Sequence, residues 1–168
     1  MNLWDPKELD TAIDVLANAK RENRLIALMG NGGSASTAAH AALDWSKAGG
    51  ARTVDLCGPA HVTAWSNDAA YIHAFSGQMN RLLRYGDVLV AISASGRSPN
   101  IVHAAQEGNR SGLRVVALTG GAEEGLPVNA LIHASDARVI VASDDIQIIE
   151  NVHLVLVHLI TNALQAAR

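Results

Sequence analysis

The chain has 168 residues and is 49% hydrophobic, enough to bury the core of one domain. A formal net charge of −3, a pI near 6.1 and the lack of a long Lys/Arg run argue against nucleic acid as a partner. The start, MNLWDPKELD, has no basic segment followed by an apolar one, and no 18-residue stretch is free of polar residues, so the expectation is a cytoplasmic protein with no membrane association. In chain order, a helix is expected over 6–21, with Asp5 as N-cap and Pro6 in the first turn. An apolar strand, LIALM 25–29, leads into a loop at 30–34 and an Ala-rich helix over 35–47. Strand TVDLC 53–57 carries Cys57, the single cysteine, so no intrachain disulfide can form and a buried structural thiol is expected. A helical stretch over about 69–84 precedes DVLVAI 87–92, apolar throughout as central parallel strands are. After the loop at 93–98, Ser98 and Pro99 open a helix that Gly112 ends. Strand VVALT 115–119, a Gly-rich loop, strand RVIVA 138–142 and a helix capped by Asp144 or Asp145 and reaching about 166 complete the chain. Short β-branched runs alternating with longer amphipathic ones predict an α/β three-layer sandwich, a central parallel sheet flanked by helices. One domain is expected over 1–168: N-terminal helix 6–21, α/β core 25–142 and C-terminal helix 144–166.

Two loops carry chemistry. In GNGGSAS, Gly30 to Ser36, glycines let the backbone approach a ligand and the following helix start supplies free N–H donors. That suits an anionic or hydroxyl-rich ligand, whereas the alternative is a turn made tight for packing alone. SASGRSP, Ser93 to Pro99, repeats the arrangement with three hydroxyls around a helix start, which suits phosphate. An ordinary N-cap accounts for Ser98 but not for Ser93 and Ser95. GNGGSA also fits the dinucleotide fingerprint G-x-G-x-x-A, with Asp55 placed as a ribose-binding acid. A nucleotide site has no use for the second Ser loop, so no nucleotide cofactor is expected.

GNGGSASTAAH and VLVAISASGRSPNIV, with WSNDAAY between them and IIENVHLVLVHLI near the end, resemble the sugar isomerase (SIS) family, of flavodoxin-like or Rossmann-like architecture. The flanking residues are most similar to its sedoheptulose 7-phosphate (phosphoheptose) isomerase branch, over about residues 25–165. The resemblance implies aldose–ketose isomerisation of a sugar phosphate, sedoheptulose 7-phosphate to D-glycero-D-manno-heptose 7-phosphate, by a homotetramer with active sites at subunit interfaces and a bound zinc. By position, Asn31, Gly32, Gly33, Asn67 and Asp68 would contact substrate, while Ser93, Ala94, Ser95 and Ser98 would surround its phosphate. The branch's metal ligands are a His and a Glu four apart, then a Gln and a His eight apart; here those positions hold His40, Asp44, Glu150 and His158. Asp replaces Glu and Glu replaces Gln, and Glu150 also falls at a substrate-binding position. The branch makes Asp44 and His158 the acid–base partners.

His40 and Asp44, at i and i+4, share a helix face about 6 Å apart, suiting either metal ligation or a polar pair. Glu150 and His158 lie about 12 Å apart along a helix and about 80° apart around it, so reaching one ion requires leaning side chains or a neighbouring subunit. His61, His73, His103 and His133 read as surface or packing residues, and His153 points about 140° away from His158 around the helix. A second reading is a non-catalytic SIS protein that binds a phosphosugar or a protein partner. The four ligand-type residues at 40, 44, 150 and 158 favour the enzyme, since a binding protein has no need of them.

Overall fold

The computed structural model describes residues 3–121 and 129–167, so most of the Gly-rich loop expected after the fourth strand lies outside the described residues. Helix α1 (Pro6–Arg21) begins as expected, with the Asp5 carboxylate accepting from the Lys7 N–H at 2.9 Å. Strand β1 (Leu25–Gly30), helix α2 (Gly33–Lys47) and strand β2 (Arg52–Asp55) follow. Helix α3 (Pro59–Asp68) comes next, where no helix was expected, and the single helical stretch expected at 69–84 is instead two pieces, a 3₁₀ turn (Tyr71–His73) and α4 (Ser76–Leu82). Helix α3 buries none of its residues, so it has no apolar stripe for sequence periodicity to reveal. Then come β3 (Val88–Ser93), α5 (Pro99–Arg110), β4 (Arg114–Gly120), the short α6 (Ala130–His133), β5 (Ala137–Val141) and α7 (Ile146–Ala166). Asp145 caps α7, its carboxylate accepting from Gln147 N–H at 2.8 Å.

All five strands pair in parallel in the order β2-β1-β3-β4-β5. Alternate strand residues feed two cores. Ile26, Leu28, Val88, Val90 and Ile92 pack under α1, α2 and α7, while Ala27, Met29, Leu89 and Ala91 pack under α4 and α5. Burial on both faces is the reason these strands read as unbroken apolar runs. Helix α7, 21 residues long, is the one helix among the described residues long and apolar enough to span a bilayer. Its Ile149, Val152, Leu156, Val157, Ile160 and Leu164 are buried in the first core, which accounts for that hydropathy without a membrane.

The connection order reverses between β1 and β3: from β1 the chain goes outward to β2, and it returns to β3 on the other side. Open α/β sheets take ligands in the crevice at the carboxyl ends of strands flanking such a point. The two Gly/Ser loops leave from these two strands.

Candidate active site in the crevice between two loops

The β1–α2 loop brings the chain into α2 through Gly32 as N-cap, leaving the first-turn N–H groups facing the crevice. A Cβ at Gly33 would collide with the Glu150 carboxylate, so the absence of a side chain is what lets α7 approach here. Asn31, Ser34, Ser93, Ala94, Ser95, Ser98, Ile146 and Glu150 enclose a crevice of about 160 Å³. In the β3–α5 loop, Gly96 has φ +59° and the Asn129 side chain occupies the place where its Cβ would stand. The Ser93 hydroxyl accepts from Gly96 N–H at 3.2 Å, and that of Ser95 from Arg97 N–H at 3.3 Å. Ser98 holds the N-cap position of α5 without making a side-chain capping bond, so its hydroxyl is left for a ligand. The loop is braced from beneath: buried Thr119 donates to Ser93 O at 2.8 Å, and buried Asn129 donates to Thr119 Oγ1 at 2.8 Å and Gly120 O at 3.1 Å. A second brace joins the loops, because Asn31 and the buried Asn100 of α5 exchange amide hydrogen bonds at 2.9 and 3.0 Å, with the Tyr71 hydroxyl 2.9 Å from Asn31 Oδ1. Sequence reasoning passed over Tyr71, Asn100, Thr119 and Asn129; each acts through at least one partner 10 or more residues away, which no local pattern encodes.

The titratable cluster lies further along the groove between α2 and α7. His40 Nε2 is 3.1 Å from His158 Nε2 and 3.1 Å from Asp44 Oδ2, and His158 Nε2 is 4.0 Å from the same oxygen. Two ring nitrogens that face each other need a proton or a cation between them. Two nitrogens on one tetrahedral zinc lie roughly 3.3 Å apart for bonds of about 2.0–2.1 Å, close to the spacing seen, so this His₂Asp set fits a zinc ion. Glu150 is not gathered with these three: it belongs to the crevice, against Gly33. Both histidines are exposed and Asp44 is half-buried.

Asn67 and Asp68 sit in the last turn of α3 rather than in a strand-to-helix connection, both exposed, with Asn67 Nδ2 bonded to Asp68 Oδ1 at 2.8 Å. Among the residues lining the crevice neither occurs. His153, expected to point away from His158, is fully buried, and burial holds its pKa down to about 4. The Thr119 carbonyl nearby opposes that shift weakly, but neither ring nitrogen has a hydrogen bond of good geometry. Cys57 lies beside the first loop, its thiol 3.5 Å from Gly30 O; burial, then the Asp55 carboxylate, pushes its pKa up to about 12, which makes it an inert packing thiol. A larger cleft, about 500 Å³, opens at the other end of the sheet beside Tyr85 and Gly112. Helices α1 and α5 end there, so carbonyls rather than N–H groups face it, and its Arg24 and Arg114 are paired with Glu22 and Asp136. The chemistry therefore belongs to the smaller crevice.

Residues 5–120 match the SIS domain family. The chain is 35% identical over 161 residues to a phosphoheptose isomerase of Bradyrhizobium sp. (strain BTAi1 / ATCC BAA-1182), covering 90% of this chain and 77% of that protein. Among solved structures, a phosphoheptose isomerase from Neisseria gonorrhoeae superposes with a TM-score of 0.87 at 28% identity, over 96% of this chain and 86% of that one. One from Francisella tularensis gives 0.86 at 26% identity over the same shares.

Proposed function

Because the chain belongs to the SIS domain family, in its phosphoheptose isomerase branch, we propose that it is an aldose–ketose isomerase converting sedoheptulose 7-phosphate to D-glycero-D-manno-heptose 7-phosphate. The observation that carries this reading is a groove that leads from the serine cradle of the β3–α5 loop, past the start of α2 and Glu150 of α7, toward an imidazole–carboxylate cluster on those same two helices. At 1.5 Å per residue His40 lies about 10 Å along α2 from Gly33, a length comparable with an extended heptose phosphate. Ser93, Ser95, Ser98 and the N–H groups at the start of α5 bind the phosphate, with Ala94 between them. Asn31, Gly32 and Gly33 face the sugar, with Glu150 alongside. Asp44 takes the proton from the carbon beside the carbonyl, and His158 serves as its acid–base partner as the proton is returned to the neighbouring carbon. A zinc ion held by His40, Asp44 and His158 would supply a Lewis acid toward the sugar oxygens. Glu150 could complete its ligand set only by turning away from Gly33. Asn67 and Asp68 would reach the sugar by movement of α3, which no buried side chain anchors.

The cluster's setting supports a homo-oligomer, with a tetramer the form expected. Leu43 beside Asp44, and Leu154, Val155 and Leu159 around His158, are exposed apolar side chains next to the reacting groups, a surface that a second copy would cover. The chain is read as one domain acting in the cytoplasm. Nothing in the geometry favours the non-catalytic alternative, which leaves the His40–Asp44–His158 set without a use.

The test is proton NMR of sedoheptulose 7-phosphate incubated with the protein in D₂O, with and without zinc, alongside light scattering. Appearance of the aldose with deuterium at the exchanged carbon is expected; substrate binding without isomer or exchange would replace the enzyme by a phosphosugar-binding protein.

A further inference from the structure

Both distances that join His158 to the other members of the cluster cross from α7 to α2, so the cluster's geometry depends on how far α7 is slid and turned against α2. A slide of one residue would move His158 by about 1.5 Å along the groove. Over the two turns before Trp45, the buried positions of α2 include Ala38, Ala41 and Ala42. Side chains this short make shallow ridges, which let helices lie close but fix their register weakly. Direction comes from one bond. Trp45, fully buried, donates its indole N–H to the Val157 carbonyl oxygen at 3.3 Å. Among the described residues it is the one hydrogen bond between α2 and α7 apart from the contact of the two imidazoles. Its ends adjoin the reacting groups in sequence, Trp45 after Asp44 and Val157 before His158, each pair about 100° apart around its helix. The buried member of each pair is tied to the other, while Asp44 and His158 stand on the rim of the groove.

We propose that Trp45 is a positioning residue for the cluster: its indole pins the register of α2 on α7, so that His158 meets His40 and Asp44 at the spacing of a shared zinc ion. An indole side chain turns about only two bonds, and a helix carbonyl is held by its own backbone, so a bond between them admits little travel. Trp45 touches neither ion nor substrate in this scheme; it acts only through the two helices. Loss of a group that orients metal ligands typically costs about 10- to 100-fold in metal affinity or activity. A displacement of about 1 Å among reacting groups can likewise cost on the order of 100-fold in rate. The effect on zinc binding is direct, whereas its consequence for turnover rests on the isomerase reading above.

The informative variant replaces Trp45 by 3-benzothienylalanine, in which sulfur stands in place of the indole N–H and the bulk is kept. The Val157 oxygen also accepts from the Thr161 hydroxyl at 2.8 Å, so the change orphans no acceptor and the melting temperature without metal should stay near wild type. Zinc affinity in calorimetry should fall about tenfold, and kcat about tenfold with KM within about twofold, while binding of inorganic phosphate stays unchanged. Trp45→Phe should show the same losses together with a lower melting temperature, because it also leaves a cavity. Leu164→Ala is the control for packing alone. It empties part of the same core about two turns beyond His158, and should lower the melting temperature while leaving zinc affinity and kcat at wild-type values. Wild-type zinc affinity in the benzothienyl protein, an equal loss of zinc affinity in Leu164→Ala, or a matching loss of phosphate affinity would each overturn the proposal, as would a wild type that binds no zinc. A wild type that binds zinc but leaves sedoheptulose 7-phosphate unchanged removes the isomerase reading, and the zinc affinities then decide the role of Trp45 by themselves.

Discussion

The phosphate cradle, in the loop between β3 and α5, and the histidine cluster, on α2 and α7, are built in opposite ways. The cradle is finished within one chain: its loop rests on buried Thr119 and Asn129, and of its serine hydroxyls that of Ser98 alone makes no bond with the protein backbone. The cluster is held by helix geometry alone, its imidazoles exposed and its rim apolar. Phosphate is the same in every sugar phosphate, so a rigid receptor serves. The reacting end needs exclusion of water, and an exposed rim of leucine and valine is what a neighbouring subunit would close over.

The largest effects should come from breaking the cluster. Asp44→Asn and His158→Ala should each lower turnover by about 100- to 10,000-fold, the range for loss of a positioned acid or base. Because both residues are at least partly exposed, melting temperatures should stay near wild type, and thermal shift by inorganic phosphate should persist. Loss of phosphate binding in these variants would mean that the two regions are not separable.

A second effect sharpens the cradle side. His153 lies under the Thr119 end of β4, and its pKa falls from 6.5 unfolded to about 4 folded. Above pH 6.5 it is neutral in both states and costs nothing. Below that, the unfolded chain binds a proton that the folded one refuses, so stability declines with falling pH until about 4, where the folded ring protonates too. The total is about 3 kcal/mol, and His153→Leu should abolish it. Urea unfolding of both proteins at pH 7 and pH 4 would measure it as a difference of differences; parallel losses would show that His153 is not the source.

The smallest effect expected is from Asn129→Ala, which removes the bonds to Thr119 and Gly120 and empties the space beneath Gly96. A cost of about 1–3 kcal/mol in stability should come with weaker binding of inorganic phosphate in calorimetry, while the cluster's residues are untouched. Unchanged phosphate affinity would show that the loop keeps its shape without the strut.

What could be read from the sequence follows the same division. Glycine and serine at a strand's end encode local backbone, so both loops and the helices they open were legible, as were the apolar strands and the capping of α1 by Asp5. His40 and Asp44 were legible as a pair because four residues make one helical turn. Their meeting with His158 needed the resemblance, since only packing of α2 on α7 brings it about. Glu150 shows the limit of position-by-position transfer: it falls in the crevice against Gly33, apart from the three-residue cluster. Asn67 and Asp68 were misplaced because α3 has no buried side to give it a period. The struts at Asn100, Thr119 and Asn129 leave no trace in sequence, being single polar residues whose partners are supplied by the fold.

The register of the two central strands has a consequence for how such proteins diverge. Met29 pairs with Ala91 and Gly30 with Ile92, so both loops leave the sheet at the same height from adjacent strands. An insertion in either would displace the other, and descent with a new substrate has little freedom there. Helix α3 is under a weaker constraint, because none of its residues is fully buried and Val62 packs only partly against the core. Lineages that take longer or shorter sugars should therefore differ mainly between residues 59 and 70, with the loops at 30–34 and 93–98 kept at constant length.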